Sequence, residues 1–208
     1  MIAGVNGAGK SSIGGAAFRS LGGDYFNPDE AARELMAASP GLGQTEADVS
    51  AWQQGTRLLR QAIAERLDYA FESTLGGNTI PRLMVEAAAQ GIAIVVWYAG
   101  LSSPELHIQR VRSRVRKGGH DIPEEAIRRR YERSRLNLVT LLPGLSALRV
   151  YDNSEEGDPA EGEMPRPVLV LHTERGKILT PQDLPRSPDW AKPIVAAAMK
   201  LDLERRKR

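Results

Sequence analysis

The chain contains no cysteine. That excludes a disulfide scaffold, a cysteine zinc site, an iron–sulfur centre and a thiol nucleophile. A reducing compartment suits such a composition, and a cytoplasmic location is the expectation. No run of about 18 apolar residues exists, so no spanning helix and no membrane partner are expected. The N-terminus lacks a basic segment leading into an apolar stretch, which is the mark of a signal peptide. Internal repeats are absent. Lysine is scarce: of 28 basic residues, 22 are Arg and 6 are Lys. Against 26 acidic residues the net charge is only +2, which by itself says little about partners.

What is present is an ordinary globular composition, 41% apolar and 26% charged over 208 residues. At about 150 residues per domain this is one core, with room for an appendage. Apolar, β-rich runs alternate with segments of helical spacing. Met1–Ala3 reads as the tail of a strand and Ile13–Leu21 as a helix. Asp24–Phe26 reads as a second strand, followed by a helix from Asn27-Pro28-Asp29 to Met36. Glu46–Leu67 reads as a long helix with Val49, Trp52, Leu59, Ile63 and Leu67 as its apolar face. Tyr69–Phe71 and Ile92–Tyr98 read as strands, with a helix between them capped by Asn78. Ser103-Pro104 opens a helix that stops at Gly118-Gly119, and Pro123 opens another reaching about Leu142. Leu148–Tyr151 is the fifth strand. Segments 168–172 and 177–179 read as a hairpin around Arg175-Gly176, and a last helix starts near Asp189. This alternation indicates an α/β fold with a mostly parallel five-stranded sheet, followed by a C-terminal hairpin and helix. The expected division is a domain over 1–155 and an extension over 156–208, packed on the same domain. The strand before the first glycine is so short that the native start is expected upstream of Met1.

Gly4-x-x-x-x-Gly9-Lys10-Ser11 matches the phosphate-binding loop in full. Its glycines let backbone N–H groups turn toward phosphate oxygens, and the following helix presents its positive end. Gly4, Asn6, Gly7, Ala8, Gly9, Lys10, Ser11 and Ser12 are the nucleotide-binding candidates. In such a loop Lys10 reaches the β- and γ-phosphates of ATP (or GTP) and Ser11 ligates Mg²⁺.

Asp29 follows a strand and sits at a helix start. It reads equally as a helix cap or as a base for a substrate hydroxyl. Glu72 ends a strand, where a carboxylate can orient a hydroxyl, hold Mg²⁺ through water, or simply face solvent. Thr74 and Ser73 can donate beside it or form the turn. Ten of the 28 basic residues fall between Arg110 and Arg135. Arg110 and Arg114 share a helix face, with Ile108, Val111 and Val115 on the core side. Arg129 and Arg130 lie on the next helix. Two Arg-bearing helices around Gly118-Gly119-His120 suit a lid over phosphates at about 110–135. They also suit a nucleic-acid patch, although Tyr131 is its only aromatic residue, which disfavours that reading.

Together the segments Asn6–Ser11, Asn27–Glu30, Phe71–Leu75, Gly118–Glu125 and Arg128–Tyr131 resemble the zeta toxin family, most closely its short chromosomal members. The resemblance covers about 1–155 and includes Tyr151–Ser154. It implies a P-loop kinase of the nucleoside-monophosphate-kinase type. Such an enzyme phosphorylates UDP-N-acetylglucosamine from ATP or GTP with Mg²⁺, and an antitoxin protein is its implied partner. Carried over, Asp29 matches the catalytic aspartate, and Glu72 and Thr74 match substrate-contacting positions. Arg114, with Arg129 or Arg130, matches the phosphate-neutralising arginines, and Arg110 is an added substrate-binding candidate. Three readings remain beside it: a kinase of another metabolite, a non-catalytic ATP-binding module, and a nucleic-acid binder or polynucleotide kinase.

Overall fold

A computed structural model describes residues 1–15, 25–155, 167–180 and 183–207. Six strands form one sheet in the order β2-β1-β3-β4-β5-β6: β1 Ile2–Ala3, β2 Glu72–Ser73, β3 Val95–Gly100, β4 Ala147–Asp152, β5 Val168–Glu174 and β6 Lys177–Ile178. The first four are mutually parallel, while β5 and β6 add antiparallel. The C-terminal hairpin therefore extends the main sheet. Two strand assignments shift. Tyr69–Phe71 does not form a strand: the paired residues are Glu72 and Ser73, and Phe71 makes a bridge to Phe26 and accepts from Ile2 N–H at 2.9 Å. That bridge is all that remains of the strand expected at 24–26; Asp24 lies outside the described residues. The backbone of Phe26 still threads the edge, taking a bond from Glu72 N–H at 2.9 Å and donating one to Ala70 O at 2.8 Å.

The described helices are α1 Pro28–Ala38, α2 Gln44–Glu65, α3 Thr79–Ala89, α4 Pro104–Arg116, α5 Glu124–Leu141 and α6 Lys192–Arg206. A π-helical turn spans Ser11–Gly15; the remainder of the helix expected to Leu21 lies outside the described residues. Two starts follow their local chemistry. Asn27 Oδ1 accepts from the N–H groups of Asp29 and Glu30, with Pro28 at the first helical position, and Ser103 Oγ accepts from Leu106 N–H ahead of α4. Asn78 precedes α3 but makes no side-chain cap. The apolar stripe expected on α2 is also corrected. Val49, Trp52 and Leu67 are about half exposed, and the buried positions are Ala47, Ala51, Thr56, Leu59 and Ala62. Small residues let α1 approach α2 closely: Ala47 and Ala51 pack with Ala32, and the larger Val49 and Trp52 point elsewhere.

The main core unites the sheet with α3, α5 and α6, through Leu83, Met84, Val96, Leu138, Leu148, Leu171, Ile194 and Val195. Tyr98 is buried there, and its hydroxyl is satisfied by Ser134 Oγ at 3.0 Å. The segment before α6 locks in through Trp190, stacked on Tyr98 at 6.2 Å and donating from Nε1 to Asp152 Oδ1 at 3.3 Å. It fits because residue 100 is glycine: a Cβ there would stand 2.2 Å from the Trp190 ring. Gly100→Ala is therefore expected to destabilise the protein by about 1–3 kcal/mol, lowering Tm by roughly 2–4 °C per kcal/mol. An unchanged Tm would show that Trp190 does not lie against β3.

Candidate active site

Parallel strands bring the chemistry to their carboxyl ends, where α/β folds bind ligands. Gly4 leaves β1 with its N–H on Ser73 O at 3.1 Å, and the loop to Ser11 then turns across the sheet edge. Two buried side chains hold its carbonyls outward. His107, on α4, donates from Nδ1 to Asn6 O at 2.9 Å. Asn153, just after β4, donates from Nδ2 to Ala8 O at 3.0 Å. A carbonyl turned outward leaves neighbouring N–H groups free for an anion. The approach is so close that three positions must be glycine, Gly4 among them, where φ is +146° and a Cβ would meet Ala99 O at 2.4 Å. Gly7 has φ +85° and a Cβ there would meet His107 O at 2.7 Å; Gly9 has φ +81° and would meet Asn153 Nδ2 at 2.3 Å. Ala8 is fully buried within the loop. Ser12 lies in the π-helical turn, and its side chain is outside the described residues.

Lys10 points to a pair of carboxylates. Burial of its ammonium pushes its pKa down, while Glu72 and Asp29 pull it back up. Glu72 is the counterpart: burial raises its pKa and Lys10 opposes the rise. Its Oε1 accepts from both Ser11 Oγ and Tyr25 Oη at 3.4 Å. Asp29 is freed by Asn27. Because Asn27 performs the capping of α1, the Asp29 carboxylate stays half exposed and available. Arg114 Nη1 approaches its Oδ2 at 3.4 Å.

The structure separates the arginines. Arg130 Nη1 donates to Asn6 Oδ1 at 2.7 Å, and burial lowers its pKa. Arg129 is exposed and lies outside the cavity lining. Arg114 also donates from Nη2 to His120 O at 3.2 Å, and its buried Nε has no partner. Gly119 makes room for its stem, since a Cβ there would meet Arg114 Cγ at 2.7 Å. Arg110 turns away, donating to Glu155 O at 3.3 Å, and does not line the cavity. Helix α5 is anchored: Ile127, Tyr131, Ser134 and Leu138 are buried. A lid motion must leave those side chains in place, which narrows its moving part to the connection 117–123.

Lys10, Asp29, Glu72, Thr74 and Arg130 all open into one cavity of about 390 Å³, whose other wall is Phe26, Val49, Trp52 and Ile80. Among the described residues no cluster of three or more His, Asp or Glu side chains is placed to hold a metal alone. The Ser11 hydroxyl beside the Glu72 carboxylate fits Mg²⁺ that takes its other ligands from phosphates and water. His107, Asn153 and Tyr25 escaped the sequence reading as functional positions. A His four residues past the Ser103 cap, on the buried side of α4, was the available signal for the first.

This loop, at the carboxyl ends of a mostly parallel sheet, defines the class: an α/β protein of the P-loop kinase fold. No family model matches the chain. It belongs to the same family as an uncharacterised protein of Haemophilus influenzae, to which it is 32% identical over 132 residues, covering 62% of this chain and 88% of that protein. Solved structures share the fold. A crystal structure of AvrRxo1-ORF1:-ORF2 with ATP aligns at TM-score 0.67 and 15% identity, covering 95% of this chain and 62% of that one. The same complex with sulphate ions aligns at TM-score 0.62 and 16% identity, covering 96% and 75%. The chain thus spans less than two thirds of the ATP-bound neighbour's length. Among the described residues no helix is long and apolar enough to cross a membrane.

Proposed function

We propose that the chain is a Mg²⁺- and ATP-dependent kinase that phosphorylates a hydroxyl of a small molecule. The observation that carries this reading is a single cavity into which both the phosphate-loop lysine and the uncapped Asp29 carboxylate open. Loop N–H groups and Lys10 bind the β- and γ-phosphates. Bound Mg²⁺ supplies charge neutralisation on those oxygens, with Ser11 and Glu72 as the groups that would hold it. Asp29 accepts the proton of the acceptor hydroxyl. The hydroxyl oxygen forms a bond to the γ-phosphorus, the bond to the β–γ bridging oxygen breaks, and ADP leaves. Arg130, with Arg114, offsets the charge of the transferring group. Glu72 and Thr74 orient the acceptor.

The resemblance to zeta toxins supports UDP-N-acetylglucosamine as that acceptor. A protein partner of antitoxin type belongs to the same reading, and the structures sharing the fold are of a two-component complex. The test is phosphate transfer. Protein, ATP and Mg²⁺ are mixed with UDP-N-acetylglucosamine, and mass spectrometry looks for a product heavier by one phosphoryl group. The expected result is that product, absent with Lys10→Met. Bound ATP without product from UDP-N-acetylglucosamine or from a metabolite panel would overturn the kinase reading in favour of a nucleotide-binding module.

A further inference from the structure

Among the described residues three non-glycine positions have positive φ: Arg66 at +55°, Leu75 at +54° and Arg175 at +47°. Two of them lie where such a backbone is ordinary. Arg66 caps the end of α2, and Arg175 sits in the β5–β6 hairpin. Leu75 does neither: it follows β2 in the wall of the cavity. A left-handed leucine is strained. Relief stands next to it, since Gly76 and Gly77 would adopt that conformation freely, and neither has positive φ. Such strain persists only where the surroundings over-determine it, and it gathers at ligand clamps. Here the surroundings are specific. Leu75 N–H donates to Ser73 Oγ at 3.0 Å, and the Leu75 side chain is 1% exposed in the main core. Asn137, on α5, donates from Nδ2 to Leu75 O at 2.7 Å and to Gly77 O at 2.9 Å. Both partners are carbonyls, which only accept, so the amide nitrogen faces them and spends both hydrogens there. Gly76 packs on the stem of Arg130: a Cβ would meet Arg130 Cγ at 2.7 Å.

We propose that Asn137 is a positioning residue for the acceptor: it holds the turn 73–77 in its left-handed form and so fixes the Thr74 hydroxyl where the acceptor meets it. The inference rests on the kinase reading above and adds a residue to it. Thr74 lies between the two partners of the Ser73–Leu75 bond and lines the cavity, and its side chain makes no hydrogen bond among the described residues. Its orientation is therefore set by the turn and not by a partner of its own. Asn137 comes seven residues after Arg130, so the two share a face of α5. Arg130 grips the phosphate loop through Asn6 Oδ1 at 2.7 Å, and Asn137 grips the acceptor turn. One helix, anchored by Ile127, Tyr131, Ser134 and Leu138, thereby sets the spacing between the two halves of the site. Without the clamp Leu75 relaxes to negative φ, the peptide planes on either side of it rotate, and Thr74 moves off the acceptor. A bond to the acceptor made equally in the ground and transition states shows in KM and not in kcat.

The test is steady-state phosphate transfer by full-length protein with Mg²⁺ and ATP, to UDP-N-acetylglucosamine or to whichever panel metabolite the wild type phosphorylates. Asn137→Ala should raise the acceptor KM about five- to tenfold, with kcat and the KM for ATP within about twofold of wild type. Melting should hold, because position 137 is partly exposed and alanine suits a helix interior. Asn137→Asp is nearly isosteric but turns a carboxylate toward two carbonyls, so it should lose as much or more. Because Asn137 acts through Thr74, Asn137→Ala should add less than about twofold to the raised acceptor KM of Thr74→Val. An unchanged acceptor KM in both Asn137 variants overturns the inference and leaves the kinase reading standing. So do equal losses for acceptor and ATP, collapsed melting in both variants, or full additivity with Thr74→Val, which mark a role in folding alone. Transfer by the wild type to no acceptor sinks the kinase reading and this inference with it.

Discussion

Asp29→Asn is expected to lower phosphoryl transfer by about 10²- to 10⁴-fold while ATP binds as before. Asparagine keeps the size and polarity of the side chain but cannot accept a proton at neutral pH. Little else changes at this position. The start of α1 depends on the backbone N–H of residue 29, which donates to Asn27 Oδ1 at 2.9 Å, and the substitution leaves that N–H in place. Arg33 bonds the backbone carbonyl of the same residue. The ion pair with Arg114 is lost, but it is a single contact at 3.4 Å between side chains 38% and 45% exposed, worth at most about 1 kcal/mol. Stability should therefore barely move. The measurement is kcat for acceptor phosphorylation together with nucleotide affinity, for wild type and variant. Wild-type turnover in the variant would remove Asp29 as the base. Parallel loss of nucleotide affinity would show that the residue binds phosphate instead.

Local signals in the sequence were sufficient where a single turn of chain carries the information. The phosphate loop, the Asn27-Pro28 start and the Ser103-Pro104 start are of that kind. The two helix starts depend on hydrogen bonds within about four residues, and the loop is marked by its own glycine and lysine spacing. Strand pairing is not local. Whether Tyr25-Phe26 forms a strand is decided by its neighbour at Ala70–Glu72, and the pairing proves to be one bridge long. Register likewise moved β2 from Tyr69–Phe71 to Glu72–Ser73, which places the Glu72 carboxylate inside the sheet edge and raises its pKa by burial.

Other features were present in the pattern but required the buried face to be known. On α5 the buried seam is Ile127, Tyr131, Ser134 and Leu138. Arg130 is three residues past Ile127 and lies beside that seam; Arg129, two past it, faces nearly the opposite way. Once the seam is fixed, the choice between them follows. On α2 the eye is drawn to the large apolar residues, yet the helix buries its alanines. Trp52 and Val49 fit helical periodicity, but they line the cavity, because close approach of α1 selects small side chains. His107 and Asn153 act on carbonyls about 100 and 145 residues away in the chain, as their bonds to Asn6 and Ala8 show, and no spacing rule reveals such partners.

His107 should make the fold acid-sensitive well above the usual carboxylate range. Its ring is 1% exposed, and burial pushes its pKa from 6.5 to about 4, against the opposing bond to Asn6 O. A carbonyl can only accept, so Nδ1 carries the hydrogen and the native ring is neutral. The unfolded ring binds a proton near pH 6.5; the folded ring resists until about pH 4. Between those values the unfolded state holds more protons, so stability rises with pH there and is lost as pH falls. Two and a half pKa units correspond to about 3 kcal/mol, roughly 10²-fold in the unfolding equilibrium. His107→Gln is expected to cost stability at pH 7, where the packing and the bond to Asn6 O are disturbed. It should also remove this part of the acid limb. Denaturant unfolding of both proteins across pH 4 to 7 provides the check: the stability difference should shrink by about 3 kcal/mol from the upper to the lower end. A difference independent of pH would mean that the ring takes up its proton at the same pH folded as unfolded, so that burial exerts no net shift on it. In that case the bond to the Asn6 carbonyl would be made by a charged imidazole below about pH 6.5, and the loop would rest on a group that titrates near neutrality.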